Sequence, residues 1–311
     1  MNSQIKKINL NHSFIFFLFC NIFSVIVFKF TNLDISTLFC FLLILTIGVS
    51  HGALDHLKGK KLLTILNIKK FYIFYLIYIL LALSVILVWT IVPAITLIVF
   101  LAVASFHFGK EDTQFLINKN SNLTSILYFF RGLLIIIAPM YFNFDETVTI
   151  FKMLLIDSEQ FYSSLGFIEK YKIIEIAIGL SALSSIILFL REFNIKKFAI
   201  FLDFFSIIIL NYYLSPLVAF TIYFCFLHSI RHTISLAIEM DNSNLKNGLK
   251  LFAQKAFPLT VLTAIFSVLG LYFLNNVYEL NSAILKIIFI GLASLTFPHI
   301  LLEYFLEKNE K

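Results

Sequence analysis

The chain has 311 residues, of which 60% are hydrophobic and 14% charged, with a mean hydropathy of +0.93. Soluble domains are roughly half apolar, so this composition excludes a water-soluble domain and leaves the lipid bilayer as the solvent. The net charge of +6 does not point to nucleic acid, because no basic stripe with interleaved aromatics accompanies it.

An all-α polytopic transmembrane helix bundle of about ten spans is expected, forming a single integral membrane domain over residues 1–311. Apolar runs separated by charged or proline breaks predict spans near 13–29, 35–57, 71–92, 94–109, 123–142, 173–190, 198–213, 215–238, 257–275 and 282–304. The first run follows Lys6 and Lys7 but is long for a signal core and lacks a small-x-small cleavage site, so it reads as a span. Pro93 and Pro216 predict tight turns at 92–94 and 213–216, because the residue before a proline is pushed out of the helical conformation. The segment 143–172 falls between spans and receives no role. Cys20, Cys40 and Cys225 lie scattered in apolar runs and form neither a disulfide framework nor a zinc cluster.

Orientation follows from the basic residues. With the N-terminus inside, one set of loops holds Lys6, Lys7, Lys58, Lys60, Lys61, Lys69, Lys70, Lys110, Lys119, Arg191, Lys196, Lys197, Arg231, Lys246, Lys250, Lys255, Lys308 and Lys311. The other set holds Lys29, Lys152, Lys170 and Lys172. This asymmetry predicts a multi-pass protein of the cell (inner) membrane with both termini cytoplasmic. Arg131 falls inside a span, where it requires either an ion pair or a polar cavity.

Six of the seven histidines fall in four short motifs: HGALDH at 51–56, SFHFGKED at 105–112, HSIRH at 228–232 and PHILLE at 298–303. All four spans that carry them run from outside to inside. Counted from the outer ends, at about 1.5 Å per residue, His51, His107, His228 and His299 share a depth to within about 6 Å. Helix formation does not require this coincidence, and ionisable side chains in spans face a bundle interior or a cavity. Four helices therefore surround one polar site, and imidazole is the commonest metal ligand near neutral pH. His228 and His232 lie one turn apart on one helix face. His51 and His56 point to different faces, so at most one of them binds directly, with His51 the deeper. Asp55, Glu111, Asp112 and Glu303 accompany the motifs, and metal-bound imidazoles usually donate their other N–H to such groups. Gly52 and Gly109 would let a helix or a substrate approach closely.

An imidazole set without cysteine suits iron, copper, zinc or nickel rather than calcium or magnesium. No HExxH is present for zinc protease chemistry, and the histidines are too few for a membrane diiron desaturase. One redox-active ion is the economical reading. The alternatives are another iron oxygenase or desaturase of a lipid-soluble substrate, or a metal or proton transporter. A transporter would carry polar groups along a whole crossing path, whereas here they are confined largely to one half, with Arg131 the chief exception.

The four motifs, in this order, resemble those of the Brp/Blh (bacteriorhodopsin-related protein-like) beta-carotene 15,15'-dioxygenases, integral membrane enzymes of bacteria and archaea. The resemblance extends from residue 51 to 303. It departs locally, since Val49 and Ser50 precede the first histidine where a proline is common in the family. The resemblance implies an Fe(2+) enzyme that uses O2 to split beta-carotene into two retinals, the chromophore of microbial rhodopsins, with a functional link to a retinal-binding rhodopsin. It implies His51, His107, His228 and His232 as iron ligands, and makes His56 and His299 outer or pocket groups, although depth alone favours His299 as a ligand. Phe106, Tyr223 and Phe297 adjoin motif histidines and are the candidate substrate-pocket aromatics.

Overall fold

The computed structural model describes residues 3–29, 35–117, 121–191 and 193–309, with the His51 side chain outside the described set. Every element among them is helical. Helix α1 (Ser3–Lys29) turns most of its apolar surface outward and buries a narrow stripe of small or polar side chains, Asn9, Ser13, Cys20 and Ser24, together with Phe16. Spaced three to four residues apart, these share one face and let α1 lie close to a neighbouring helix, as small residues do in membranes.

The second span is composite. Helix α2 (Thr37–Leu43), capped by the Ser36 hydroxyl, runs into a π-helical turn at Ile44–Gly48, a 3-10 turn at Val49–Leu54 that carries the His51 backbone, and α3 (Asp55–Ile65). Helix α4 (Tyr72–Ile91) buries only Trp89, whose indole donates to the Leu154 carbonyl at 2.9 Å. Pro93 opens α5 (Pro93–Glu111) at the position where its missing N–H costs nothing, so the predicted turn is present. Helix α6 (Asn122–Phe142) packs along α5 at an unusually close crossing. A methyl added at Gly109 would stand 1.8 Å from the Tyr128 carbonyl oxygen, and one at Gly132 would stand 1.8 Å from that of Ser105.

The outer segment folds into two short helices, α7 (Phe144–Met153) and α8 (Glu159–Lys170), before α9 (Ile173–Leu190) returns through the bundle. Helix α10 (Ala199–Tyr213) follows, and Pro216 starts α11 (Pro216–Ile222), as predicted. A second π-helical turn, Tyr223–Ser229, leads into α12 (Ile230–Met240). Asp241 accepts four hydrogen bonds in the turn before α13 (Leu245–Asn275). Those from Asn247 and Ser243 dominate and hold its carboxyl down at about 2. Helix α14 (Leu280–Asn309) closes the bundle.

Among the described residues, nine helical stretches are long and apolar enough to cross a membrane. The predicted span at 198–213 is the difference. It is not among those nine because α10 alone has 15 residues, but the 3-10 turn Ile195–Phe198 leads directly into it, and the joined helical stretch at 195–213 reaches about 30 Å, the thickness of the hydrocarbon layer. Asp203, Ser206 and Asn211 are buried on it against its neighbours.

Candidate metal centre

Helix α5 ends with His107, Glu111 and Asp112 directed into the bundle, all on the side that faces the second π-helical turn, α12 and α14. A π turn widens the helix and leaves carbonyls to find other partners. Here the Gly48 carbonyl of the first π turn accepts from the Ser229 hydroxyl of the second at 3.1 Å. Gly48 lies so close to Phe224 that a methyl there would stand 2.6 Å from the ring. The two turns thus lock against each other beside the motif histidines.

Each of three imidazoles is held at Nδ1 by a different carboxylate. His228 donates to Asp112 at 3.2 Å and His232 to Glu111 at 3.1 Å. His299 donates to both oxygens of Asp55 at 2.8 and 2.9 Å. Donation from Nδ1 fixes the tautomer that carries its lone pair on Nε2, the ligating arrangement usual in metal sites. The carboxylates are themselves held. Tyr223 donates to Asp112 at 2.6 Å, Tyr78 to Asp55 at 2.8 Å, and Gln114 to Glu111 at 2.5 Å.

The rings converge. Centroids of His107 lie 5.4 Å from those of both His228 and His299, and His232 lies 5.9 Å from His299. Imidazoles sharing one ion through bonds of about 2.1 Å bring their centroids about 5 to 6 Å apart, a spacing that each of these pairs meets. Among the described residues, the ligand atoms that lie within 4.8 Å of one another are those of His107, His299 and Glu303, a set without His228 and His232. Glu303 stands 3.6 Å from His299 Nε2 and accepts from Lys58 at 2.7 Å. Asp55, Glu111 and Asp112 add negative charge that a divalent cation would offset. Arg231 is bound to Asp203 at 2.8 and 3.2 Å, to the Asp112 carbonyl and to Ser13, which ties α12 to α10, α5 and α1.

The centre sits between two cavities. One, of about 300 Å³, is lined by His107, His228 and His299 at one end, by Phe74, Phe108 and Phe224 along its walls, and by Ile79, Leu262 and Phe266 at the other. Those last three are exposed on the apolar surface of the bundle. His56, whose Nδ1 donates to the Ala53 carbonyl at 3.0 Å, and Gly52 also border this cavity. The second, of about 280 Å³, is polar: Lys58, Glu111, Arg231, His232, Glu239 and Glu303 line it, and His228 borders both.

Residues 42–307 match the family described as beta-carotene 15,15'-dioxygenase. The chain belongs to this family. All four histidine motifs, from His51 to Glu303, lie inside the match, in agreement with the resemblance and with the expectation of an enzyme. A curated member of the beta-carotene 15,15'-dioxygenases, from the uncultured marine bacterium 66A03, is 27% identical over 267 residues, covering 84% of this chain and 90% of its own. No solved structure matches the chain.

Several predicted positions of this family member differ from expectation. Asp55, expected from its spacing to hold His51, holds His299, the side chain of His51 lying outside the described residues, and Glu303 faces the Nε2 side of His299 rather than its Nδ1. Phe106, Tyr223 and Phe297 line none of the three cavities described for the structure. Phe106 packs around Phe115 and Leu116, Tyr223 supports Asp112, and Phe297 is exposed on the outer surface. Phe108 and Phe224 line the cavity instead, two residues after Phe106 and one after Tyr223. Tyr78 and Lys58 were missed because their partners lie on distant helices, and nothing in the local sequence marks them. Arg131 is buried on α6, and its Nε and Nη2 meet no hydrogen-bond partner among the described residues.

Proposed function

We propose that the protein is an iron(II) dioxygenase that cleaves beta-carotene at its central 15,15' double bond to give two molecules of retinal. One arrangement carries this reading: carboxylate-held imidazoles close the inner end of an apolar cavity whose outer end is lined by side chains exposed to lipid. A polyene dissolved in the bilayer enters laterally and meets the imidazole layer without leaving an apolar environment. His107, His228 and His232 would hold the iron, with His51 added by the family resemblance; when bound, iron supplies the activation of O2. Asp55, Glu111 and Asp112 orient the rings, while His56 and Glu303 border the site. In the reaction one carbon–carbon double bond breaks, each carbon takes one oxygen atom of O2, and no outside reductant is consumed. The aromatic walls exclude water and hold the conjugated chain flat.

The protein lies in the cell membrane with both termini cytoplasmic, which puts the polar cavity on the cytoplasmic side, in keeping with the basic loops. A retinal-binding rhodopsin is the expected consumer of the product. A transporter needs polar groups along a whole crossing path, and apart from the imidazoles, Asp55, Tyr75, Tyr78, Thr263 and Thr296 this cavity is walled by apolar side chains such as Phe74, Phe108, Phe224, Phe266, Leu262 and Leu292.

Expression in cells that accumulate beta-carotene tests the reading. Loss of orange colour with retinal appearing is expected, and unchanged pigment at good expression overturns it. Iron content of His51→Ala and His299→Ala variants, compared side by side, distinguishes which of the two completes the ligand set.

A further inference from the structure

A third cavity, of about 90 Å³, lies on the other side of Phe108 and Phe224. Phe108, Phe224, Leu292 and Thr296 line both this cavity and the larger apolar one, so they form a shared wall. The wall stands at the imidazole end: the Phe108 ring lies 4.8 Å from that of His228, and Phe224 stacks on His228 at 5.8 Å. Away from the wall the small cavity follows one stripe of α5 from Phe108 past Ala104 to Phe100. It is closed by Thr147, Ile150 and Phe151 of α7, in the outer segment that hydropathy left without a role.

This placement constrains how a symmetrical chain can sit. A bond reacting beside His107 and His228 lies at the wall. The larger cavity accommodates one half of the molecule, on the side open to lipid, and the other half must pass between Phe108 and Phe224. The stripe from Phe100 to Phe108 spans about 12 Å at 1.5 Å per residue, of the same order as half a forty-carbon polyene. We infer that the α7-capped cavity is a second substrate subsite, which receives the far half of the carotenoid and sets which double bond reaches the imidazoles. The inference rests on the carotenoid-cleavage reading above. The small cavity admits the far half as the Phe108 and Phe224 rings turn aside, and α7 acts as the stop at its end.

The test compares two substrates in the purified, iron-loaded protein: beta-carotene, and an apocarotenal shortened at one end but retaining the central bond. Ala104→Phe fills the subsite from α5, and Ile150→Phe fills it from α7. The ratio of shortened to full-length turnover is expected to rise about tenfold or more in at least one variant that keeps its iron, the scale on which an apolar pocket discriminates by size. An unchanged ratio in both variants at wild-type iron content, including equal loss on both substrates, overturns the subsite and leaves the proposed function standing. A wild-type protein that cleaves neither substrate overturns the reading beneath it.

Discussion

The apolar and polar cavities that meet at His228 are nearly equal in volume and opposite in what lines them. On the lipid side, apart from the imidazoles and the Asp55–Tyr78 pair that holds His299, the lining is mostly apolar, so that side is suited to select by shape. On the polar side, Asp112 and Glu111 fix the rotation and tautomer of His228 and His232, two of the imidazoles proposed as ligands. The imidazole layer is thus a boundary between two solvents, and each side can be altered separately. If the division is sound, changes to the carboxylates that hold the imidazoles alter iron retention, and changes to the apolar walls alter substrate selection.

The largest effect is expected at the boundary itself. His228→Ala or His232→Ala removes a proposed ligand and opens a void where the ring was. Turnover should fall by more than the ~10- to 100-fold that outer partners of metal ligands are worth, and iron per protein should fall with it. Substantial turnover in either variant removes that residue from the ligand set. Chelation of the wild-type protein should likewise abolish turnover, with recovery on adding Fe(2+) and none with Zn(2+), which has no redox chemistry.

One step outward, Asp112→Asn keeps the size of the side chain but replaces an acceptor by an amide, and Asp55→Asn does the same for His299. Each should cost about 10- to 100-fold in iron affinity or turnover, measured by iron titration followed by activity at saturating iron. Full activity and affinity in both would mean that the carboxylates only fill space. On the other side, Ile79→Trp narrows the lipid-exposed end of the apolar cavity. Its apparent KM for beta-carotene should rise several-fold, by about one size increment of an apolar pocket, with iron content at the wild-type level. Loss of iron in Ile79→Trp would break the division between the two sides.

How much of this was legible beforehand depends on the range of each interaction. Spans are a property of about 20 consecutive residues, so hydropathy located them, and Pro93 and Pro216 marked two turns. At 198–213 it caught the apolar part of a helical stretch that begins with the 3-10 turn at Ile195, and it was silent on α7 and α8. The shared depth of the histidines was readable because rise per residue is fixed within each helix. Their partners were not, because a single sequence gives the face of a side chain but not which helix stands opposite. Hence nothing in the sequence joined Asp55 to His299, 244 residues away. Phe297 lies two residues before His299, about 200° around the helix, which puts it on lipid. The π turns at Ile44–Gly48 and Tyr223–Ser229 have no sequence signature, yet they decide that Phe224 rather than Tyr223 meets the cavity. The first of them also breaks regular helix geometry just before His51.

The smallest expected effect lies away from both cavities, at the α5–α6 crossing that carries His107, Glu111 and Asp112 into place. Gly132→Ala adds one methyl where the Ser105 carbonyl oxygen leaves no room, so the two helices must separate at that point. Overpacking of this kind costs roughly 1 to 3 kcal/mol, read as a lowered Tm in detergent. The displacement moves the end of α5 relative to α12, lengthening the Glu111–His232 and Asp112–His228 bonds, so iron affinity should weaken in step with stability. Gly52→Ala is the matched control, because a methyl there meets nothing within 4 Å. It should leave Tm and iron affinity near wild type while slightly reducing the space for substrate. If Gly132→Ala lowers Tm but leaves iron affinity untouched, the crossing supports the fold alone, and α5 does not transmit its packing to the metal.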